Sequence, residues 1–220
     1  MCGRYILFGP LAAWAQLVGA TLAPEFAPRC NIAPTQDVLV VRRLPGDAAA
    51  GFHLLRWGLI PSWSKDAKIG AKLINARGET VAEKPAFRAA FKHRRCLLPA
   101  SGFYEWKAEA GRKRPFEFRM ADRAPFAMAG LWESWTGAGG EPVETCTIVT
   151  TAANELLAPF HDRMPVILDP PACKQWLATE NGDAAGLLSL LRPYPAEKMA
   201  FVPANDRLNN SRYDGNDCLA

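Results

Sequence analysis

Cysteine at position 2 is the residue of this 220-residue chain whose chemistry asks least of its neighbours. Removal of the initiator methionine, ordinary before a small second residue, leaves Cys2 with a free α-amine and a thiol on one residue. An α-amine titrates near ~7.8 and a lysine near ~10.4, so at pH 7 roughly one terminal amine in seven is neutral, against about one lysine in 2,500. Such an amine condenses with an aldehyde to a Schiff base that ordinarily hydrolyses. A thiol on the adjacent carbon can close onto the imine as a five-membered thiazolidine, turning a transient adduct into a lasting one. By itself the MC start also reads as a small residue beginning a first strand.

Three further residues could serve that reaction. Asn75, in INARGET (Ile74 to Thr80), offers a donor and an acceptor that would suit an amine or a sugar, and reads otherwise as a loop or cap residue. Glu105 lies in the aromatic run SGFYEWK, where strand alternation puts it on the face of Phe103 and Lys107, opposite Tyr104 and Trp106. Apolar neighbours raise a carboxyl towards the near-neutral pKa a proton shuttle needs, whereas pairing with Lys107 or an arginine would make it structural. His161, in APFHDRMPVIL, is the one histidine of three flanked by acid, base and a strand. It could exchange a proton with a sugar ring oxygen or serve only the fold.

The elements that must position these residues are mostly strands. RYILF, DVLVVRR, FHLLRWG, RCLLP, FYEWK, PFEFRM, FAMAGLW, CTIVTT and MPVIL have strand character, separated by turn signals such as LPGD, EAGRK and TGAGGEP. Helices are expected over Leu11 to Val18, entered through Pro10, and over Glu79 to His93, Asn154 to Phe160 and Ala172 to Thr179. Strand and helix do not alternate, which disfavours a doubly wound sheet. The reading is α+β: one domain over residues 1–220, with a largely antiparallel sheet core. TGAGGEP reads as a hairpin or loop, and the polar tail NNSRYDGNDCLA as irregular.

Composition narrows the partners. Residues 1–119 hold 19 Lys+Arg against 9 Asp+Glu, while residues 120–220 hold 7 against 13. A basic face suited to a polyanion is therefore expected in the first part. The densest basic run, KPAFRAAFKHRR (Lys84 to Arg95), reads either as part of that face or as a solvated helix side. The six cysteines have no C-x-x-C pair or zinc spacing, so neither a metal nor a disulfide framework is expected, and nothing calls for a cofactor. The apolar N-terminal run is broken by Gly9, Pro10 and Gln16 and is too short to span a bilayer, so a cytoplasmic protein is expected.

Taken together, MCGRY, RCNIAPTQ, RWGLIPSW, LINARGET, GFYEW, IVTTAAN, HDRMPVIL and VPAN…NNSRYDG resemble the SOS response-associated peptidases throughout the chain and in the same order. The resemblance implies the fold of that family, a largely antiparallel, twisted, barrel-like sheet core with peripheral helices. It also implies a protein that scans single-stranded DNA and captures abasic sites covalently through Cys2, shielding the lesion from bypass and cleavage. By matching motif positions it implies Cys2 as nucleophile, Asn75 positioning its amine or the sugar, Glu105 as acid/base and His161 aiding ring opening. It further points to Arg4, Arg77 and Arg163 on phosphates, with Pro34, Trp63 and Thr150 near the lesion. The partner would be DNA, with no metal or membrane, and the default state a monomer. The short end implies a bacterial type without a C-terminal docking extension.

Two other classes use the same residues. An N-terminal-nucleophile peptidase would use the α-amine of Cys2 as base for its own thiol, with an amide as substrate. A non-catalytic reader of damaged bases would stack them between Trp63 and Trp106 and leave Cys2 incidental.

Overall fold

All nine runs of strand character are extended in the structure, a computed structural model that describes residues 2–21, 26–109, 111–137, 139–178 and 184–215. In chain order the strands are β1 (Tyr5–Leu7), β2 (Arg29–Ile32), β3 (Asp37–Arg42), β4 (Gly51–Trp57), β5 (Asn75–Arg77), β6 (Arg95–Ala100) and β7 (Gly102–Glu109). They continue with β8 (Arg112–Met120), β9 (Phe126–Thr136), β10 (Pro142–Ala152), β11 (Arg163–Pro165), β12 (Ile167–Leu168) and β13 (Met199–Pro203). The MPVIL run divides between β11 and β12, and the sequence reading missed β2, β5 and β13.

Strands β10, β4, β3, β6 and β9 form a ring, because β9 pairs back onto β10 over seven residues. The ring is antiparallel except where β4 meets β10. Closure explains why β6 is buried along its whole length. Cys96, Leu98 and Ala100 enter one core together with Met128 and Ile148, whereas Leu97 joins Ala127, Ala129 and Leu131 in a second core with Val18, Phe91 and Trp176. One set fills the barrel and the other is covered by helices, as a strand with two apolar faces requires.

Those helices are α1 (Leu11–Val18), α2 (Arg88–His93), α3 (Pro170–Leu177) and α4 (Ala184–Ser189). The first has the expected bounds and ends at Gly19 in the left-handed region. The third begins two residues earlier than expected, where Asp169 caps the Ala172 N–H at 2.9 Å. The long helix expected from Glu79 is instead a 3₁₀ turn (Gly78–Thr80), further turns and the short α2. Pro85, with no N–H and a restricted preceding residue, accounts for the break. Asn154 to Phe160 likewise forms turns, with Asn154 Oδ1 accepting from Leu157 N–H at 3.0 Å and Pro159 interrupting any continuation.

A second sheet, in the order β13-β8-β7-β1-β2, carries the N-terminus and Glu105. Segment 58–74 folds back against the barrel and delivers β5 parallel to β10. Gly58 (φ +133°) and Gly70 make that return possible, since a Cβ on either would stand 2.7 or 2.6 Å from the other's carbonyl oxygen.

Candidate active site

The main chain of Cys2 is fixed from the side by β5. The amide Nδ2 of Asn75 donates to the Cys2 carbonyl at 3.0 Å. Asn75 is held in turn because Ile74 O accepts from Trp57 Nε1 at 2.8 Å and from the Ile148 N–H at 3.1 Å. Its own Oδ1 is buried with no hydrogen-bond partner among the described residues. The Cys2 side chain is fully buried, and burial, reinforced by the nearby Glu105 carboxylate, pushes its thiol well above the usual range.

Glu105 enters from β7, opposite Phe116 on β8. Only 5 % of it is exposed, and burial pushes its carboxyl up to about 7. It lines a cleft of about 430 Å³ together with Arg4, Trp106, Lys113, His161 and Asn209. His161 is half-buried, and burial lowers its pKa. Its Nδ1 accepts the Arg163 N–H at 2.9 Å and lies 2.8 Å from Asp162 Oδ1. A neutral ring satisfies the first contact with its proton on Nε2, and protonation turns Nδ1 towards Asp162 as a donor. The four residues singled out for chemistry are thus brought together from three separate segments and the N-terminus.

The candidate DNA contacts are distributed differently. Arg4 lines the cleft, but its Nη1 donates to Asn31 Oδ1 and Leu208 O, both at 2.8 Å, and its guanidinium lies over Trp106 at 5.6 Å. Arg77 is exposed at the end of β5, and its charge acts on the Glu79 carboxyl. Arg163 makes two bonds to Glu79, at 2.6 and 2.8 Å, and one to Thr150 O at 2.7 Å. That pairing lowers the Glu79 pKa. Thr150 is fully buried, its hydroxyl 3.4 Å from Ala76 O. Pro34 and Trp63 are not among the residues lining the cleft. Pro34 precedes Thr35, a non-glycine residue at φ +70°, in a turn closed by Gln36 N–H to Ala33 O at 3.4 Å. Trp63 is 60 % exposed and donates to Pro85 O at 3.3 Å.

Two readings change. The run Lys84 to Arg95 is not a continuous basic face: Arg94 pairs with Glu133 at 2.7 Å, and buried Arg95 donates to the carbonyls of Phe91, Lys92, Trp176 and Ala178. The polar tail, up to residue 215, does build the site. Asn31 Nδ2 donates to Asn210 O and Tyr213 O, Asp214 accepts from the N–H groups of Cys30 and Asn31, and Asn209 Oδ1 accepts from Trp106 Nε1 at 2.7 Å. Trp106, expected as a stacking wall beside Trp63, lines the cleft without it, and Lys113 and Asn209 were not foreseen as cleft walls, since only the third dimension brings the tail to the β7–β8 hairpin. Among the described residues no group of three or more His, Cys, Asp or Glu could hold a metal, and no helix is long and apolar enough to cross a membrane. The described cysteines are free thiols.

The fold and site define a barrel protein with a cysteine at position 2 buried beside a high-pKa carboxyl and held by an amide clamp. The chain belongs to the SOS response associated peptidase (SRAP) family, whose sequence profile it matches over residues 1–211. It is 42% identical over 216 residues, 96% of each chain, to the abasic site processing protein YoqW of Bacillus subtilis. It is 31% identical to the abasic site processing protein YedK of Escherichia coli, over 98% of this chain and 97% of that one. A crystal structure of a protein from Bordetella bronchiseptica superposes with a TM-score of 0.79 at 27% identity, covering 93% of this chain and 100% of that one.

Proposed function

We propose that this chain processes abasic sites in single-stranded DNA by forming a covalent thiazolidine between the lesion and Cys2 once Met1 has been removed. The observation that carries this reading is the nearness of Glu105, its carboxyl pushed up to about 7, to the Cys2 thiol, at a cleft that His161 also lines. The names of the relatives, abasic site processing proteins, support the substrate.

An abasic deoxyribose exists mainly as a closed hemiacetal, so the ring must open by proton transfer before an amine can attack. His161, neutral with its proton on Nε2, donates a hydrogen bond to the ring oxygen, and Glu105 gives that oxygen a proton while taking the one from the hemiacetal hydroxyl. The Cys2 amine then adds to the aldehyde carbon and water leaves as the imine forms. Asn75 holds the Cys2 carbonyl, and its Oδ1 is available to accept from the amine. The thiol adds to the imine carbon while Glu105 relays its proton to the ring nitrogen, and the ring closes with one water as the only product released. The reverse path begins when Glu105 carries a proton back to the ring sulfur as the C–S bond breaks. Arg4, Arg77 and Arg163 would grip phosphates, while Pro34, Trp63 and Thr150 would flank the lesion.

An amide-cleaving enzyme needs its thiol ionised for the first attack. The burial that holds the Cys2 thiol protonated favours the sequence in which the amine attacks first and the thiol second. Protein lacking Met1, mixed with an oligonucleotide carrying one abasic site and run on a denaturing gel, should give a heat-stable shifted band. Cys2→Ala should give none. Binding without a band would support a non-covalent reader, and peptide turnover without binding would support the peptidase.

A further inference from the structure

Most arginines around the cleft already have protein partners. Arg4 is held by Asn31 and Leu208, Arg163 by Glu79, Arg29 by Asp214 and Gln36. A phosphate approaching any of them must share or displace a bond. Arg112 and Lys113, by contrast, stand exposed at the start of β8, and neither side chain has a hydrogen bond or ion pair with a described residue. Lys113 lines the catalytic cleft, and it also lines a second cleft of about 770 Å³ with Glu109, Arg112, Arg114, Asp206 and Asn209. The two clefts adjoin at Lys113 and Asn209, so that a trough from Glu105 and His161 to the β7–β8 hairpin is read from them.

The acids in this trough are partly neutralised. Glu109 is reached by Arg114 at 3.4 Å and by Lys107 at 3.8 Å, so Asp206 is the carboxylate opposing an incoming anion. Arg77 is the exposed cation of β5, two residues beyond Asn75, whose amide holds the Cys2 carbonyl.

We propose that Arg112 and Lys113 form a second phosphate-binding station, which holds the DNA strand on one flank of the lesion while Arg77 serves the other. This rests on the single-stranded DNA reading given above and adds a site to it. Lys113 pairs across the hairpin with Ala108, three residues from Glu105 along β7. At ~3.3 Å per residue that is about 10 Å, or about three nucleotides at the stacked spacing of ~3.4 Å. The station therefore contributes only when the strand extends about three or more nucleotides past the lesion on that flank.

The test compares Met1-free wild type with the Arg112→Ala/Lys113→Ala double variant, both residues being exposed and outside the core. Binding and crosslinking rate are measured across a salt series on oligonucleotides with one abasic site, trimmed stepwise from the 5′ or the 3′ end. Losing two phosphate contacts should lower the slope of log affinity against log salt by about 1.4, since single strands give ~0.7 per contact. The difference between the two proteins should vanish when one particular end is cut to fewer than about three nucleotides and persist when the other is cut. Asp206→Asn should move affinity the opposite way, tightening binding on the long oligonucleotide only. Equal affinity and slope for the double variant and wild type, with wild type still crosslinking through Cys2, would overturn the second station and leave the proposed function standing. A loss independent of salt and of both ends would overturn it too. A wild type that neither binds nor crosslinks would bring down both.

Discussion

The barrel and the cleft treat buried charge in opposite ways. On the barrel wall every acid that approaches the interior meets an arginine: Arg42 clamps Glu144 with two bonds of 2.7 and 2.6 Å, and Arg94 reaches Glu133 at 2.7 Å. Glu144 is held below its usual pKa by that clamp, and the Arg42 guanidinium also lies over Trp132 at 4.2 Å. In the cleft, Glu105 is as buried as Glu133, yet burial outweighs what favours its charge and its carboxyl rises to about 7. Compensated acids lock a wall. A carboxyl raised to neutrality is held ready to take or give a proton, at a cost in stability that the rest of the fold carries.

Glu105→Gln breaks this contrast most severely. It keeps the shape and removes the proton exchange, so crosslinking and reversal should each slow by about 10²- to 10⁴-fold. Unchanged release of DNA from a preformed crosslink would remove Glu105 from the reverse path. Stability should move the other way. With a folded pKa of about 7 against an ordinary 4.5, the unfolded chain ionises first as pH rises, so stability falls between about pH 4.5 and 7. Above that window the cost is complete, on the order of 3 kcal/mol. The variant should be the more stable protein at pH 8 and equal to wild type at pH 4, as read by urea unfolding at both values. A variant less stable at pH 8 would mean that Glu105 holds the fold together.

The barrel gives the opposite sign. Arg94→Ala leaves Glu133, 5 % exposed, without its cation, and should destabilise by about 3 kcal/mol at neutral pH. Arg94→Ala/Glu133→Gln should recover part of that loss in urea unfolding, and a double variant no more stable than the single one would assign the effect to packing of the arginine stem instead.

How much of this was readable beforehand follows from how local each cause is. The nine strand runs announce themselves because alternation and β-branching act within a few residues. Cys2 and Glu105 stood out for the same reason, one through its position and the other through its aromatic neighbours. Residues whose role depends on distant partners did not. Strands β2 and β5 are four and three residues long and carry Asn and Arg; β5 exists because the long β10 pairs with it, and β2 because β1 presents an edge to it. Asn209 belongs to a tail whose composition looks like loop, and it becomes a wall only by accepting from Trp106, 103 positions away. Arg94 and Arg95 show the converse, since a basic run in sequence suggests a surface and gives no hint that backbone carbonyls of α3 and its flank will bury one of them.

The smallest expected effect sharpens the comparison where the two regimes meet. Arg163 lies next to the histidine of the cleft but is treated as the barrel treats its arginines, clamped by Glu79, whose side chain is 52% exposed. An exposed pair of this kind contributes on the order of 0–1 kcal/mol to folding, so Glu79→Gln should scarcely change stability. The clamp does oppose DNA, because a phosphate must displace a carboxylate that already occupies both guanidinium nitrogens. Glu79→Gln should therefore tighten single-stranded DNA binding several-fold at low salt, and steepen the slope of log affinity against log salt by about 0.7 if a new phosphate contact forms. The gain should disappear in the Glu79→Gln/Arg163→Ala double variant. Tighter binding that survives removal of Arg163 would mean that Glu79 acts only through general repulsion, and weaker binding in the single variant would mean that the clamp holds Arg163 in the position DNA requires.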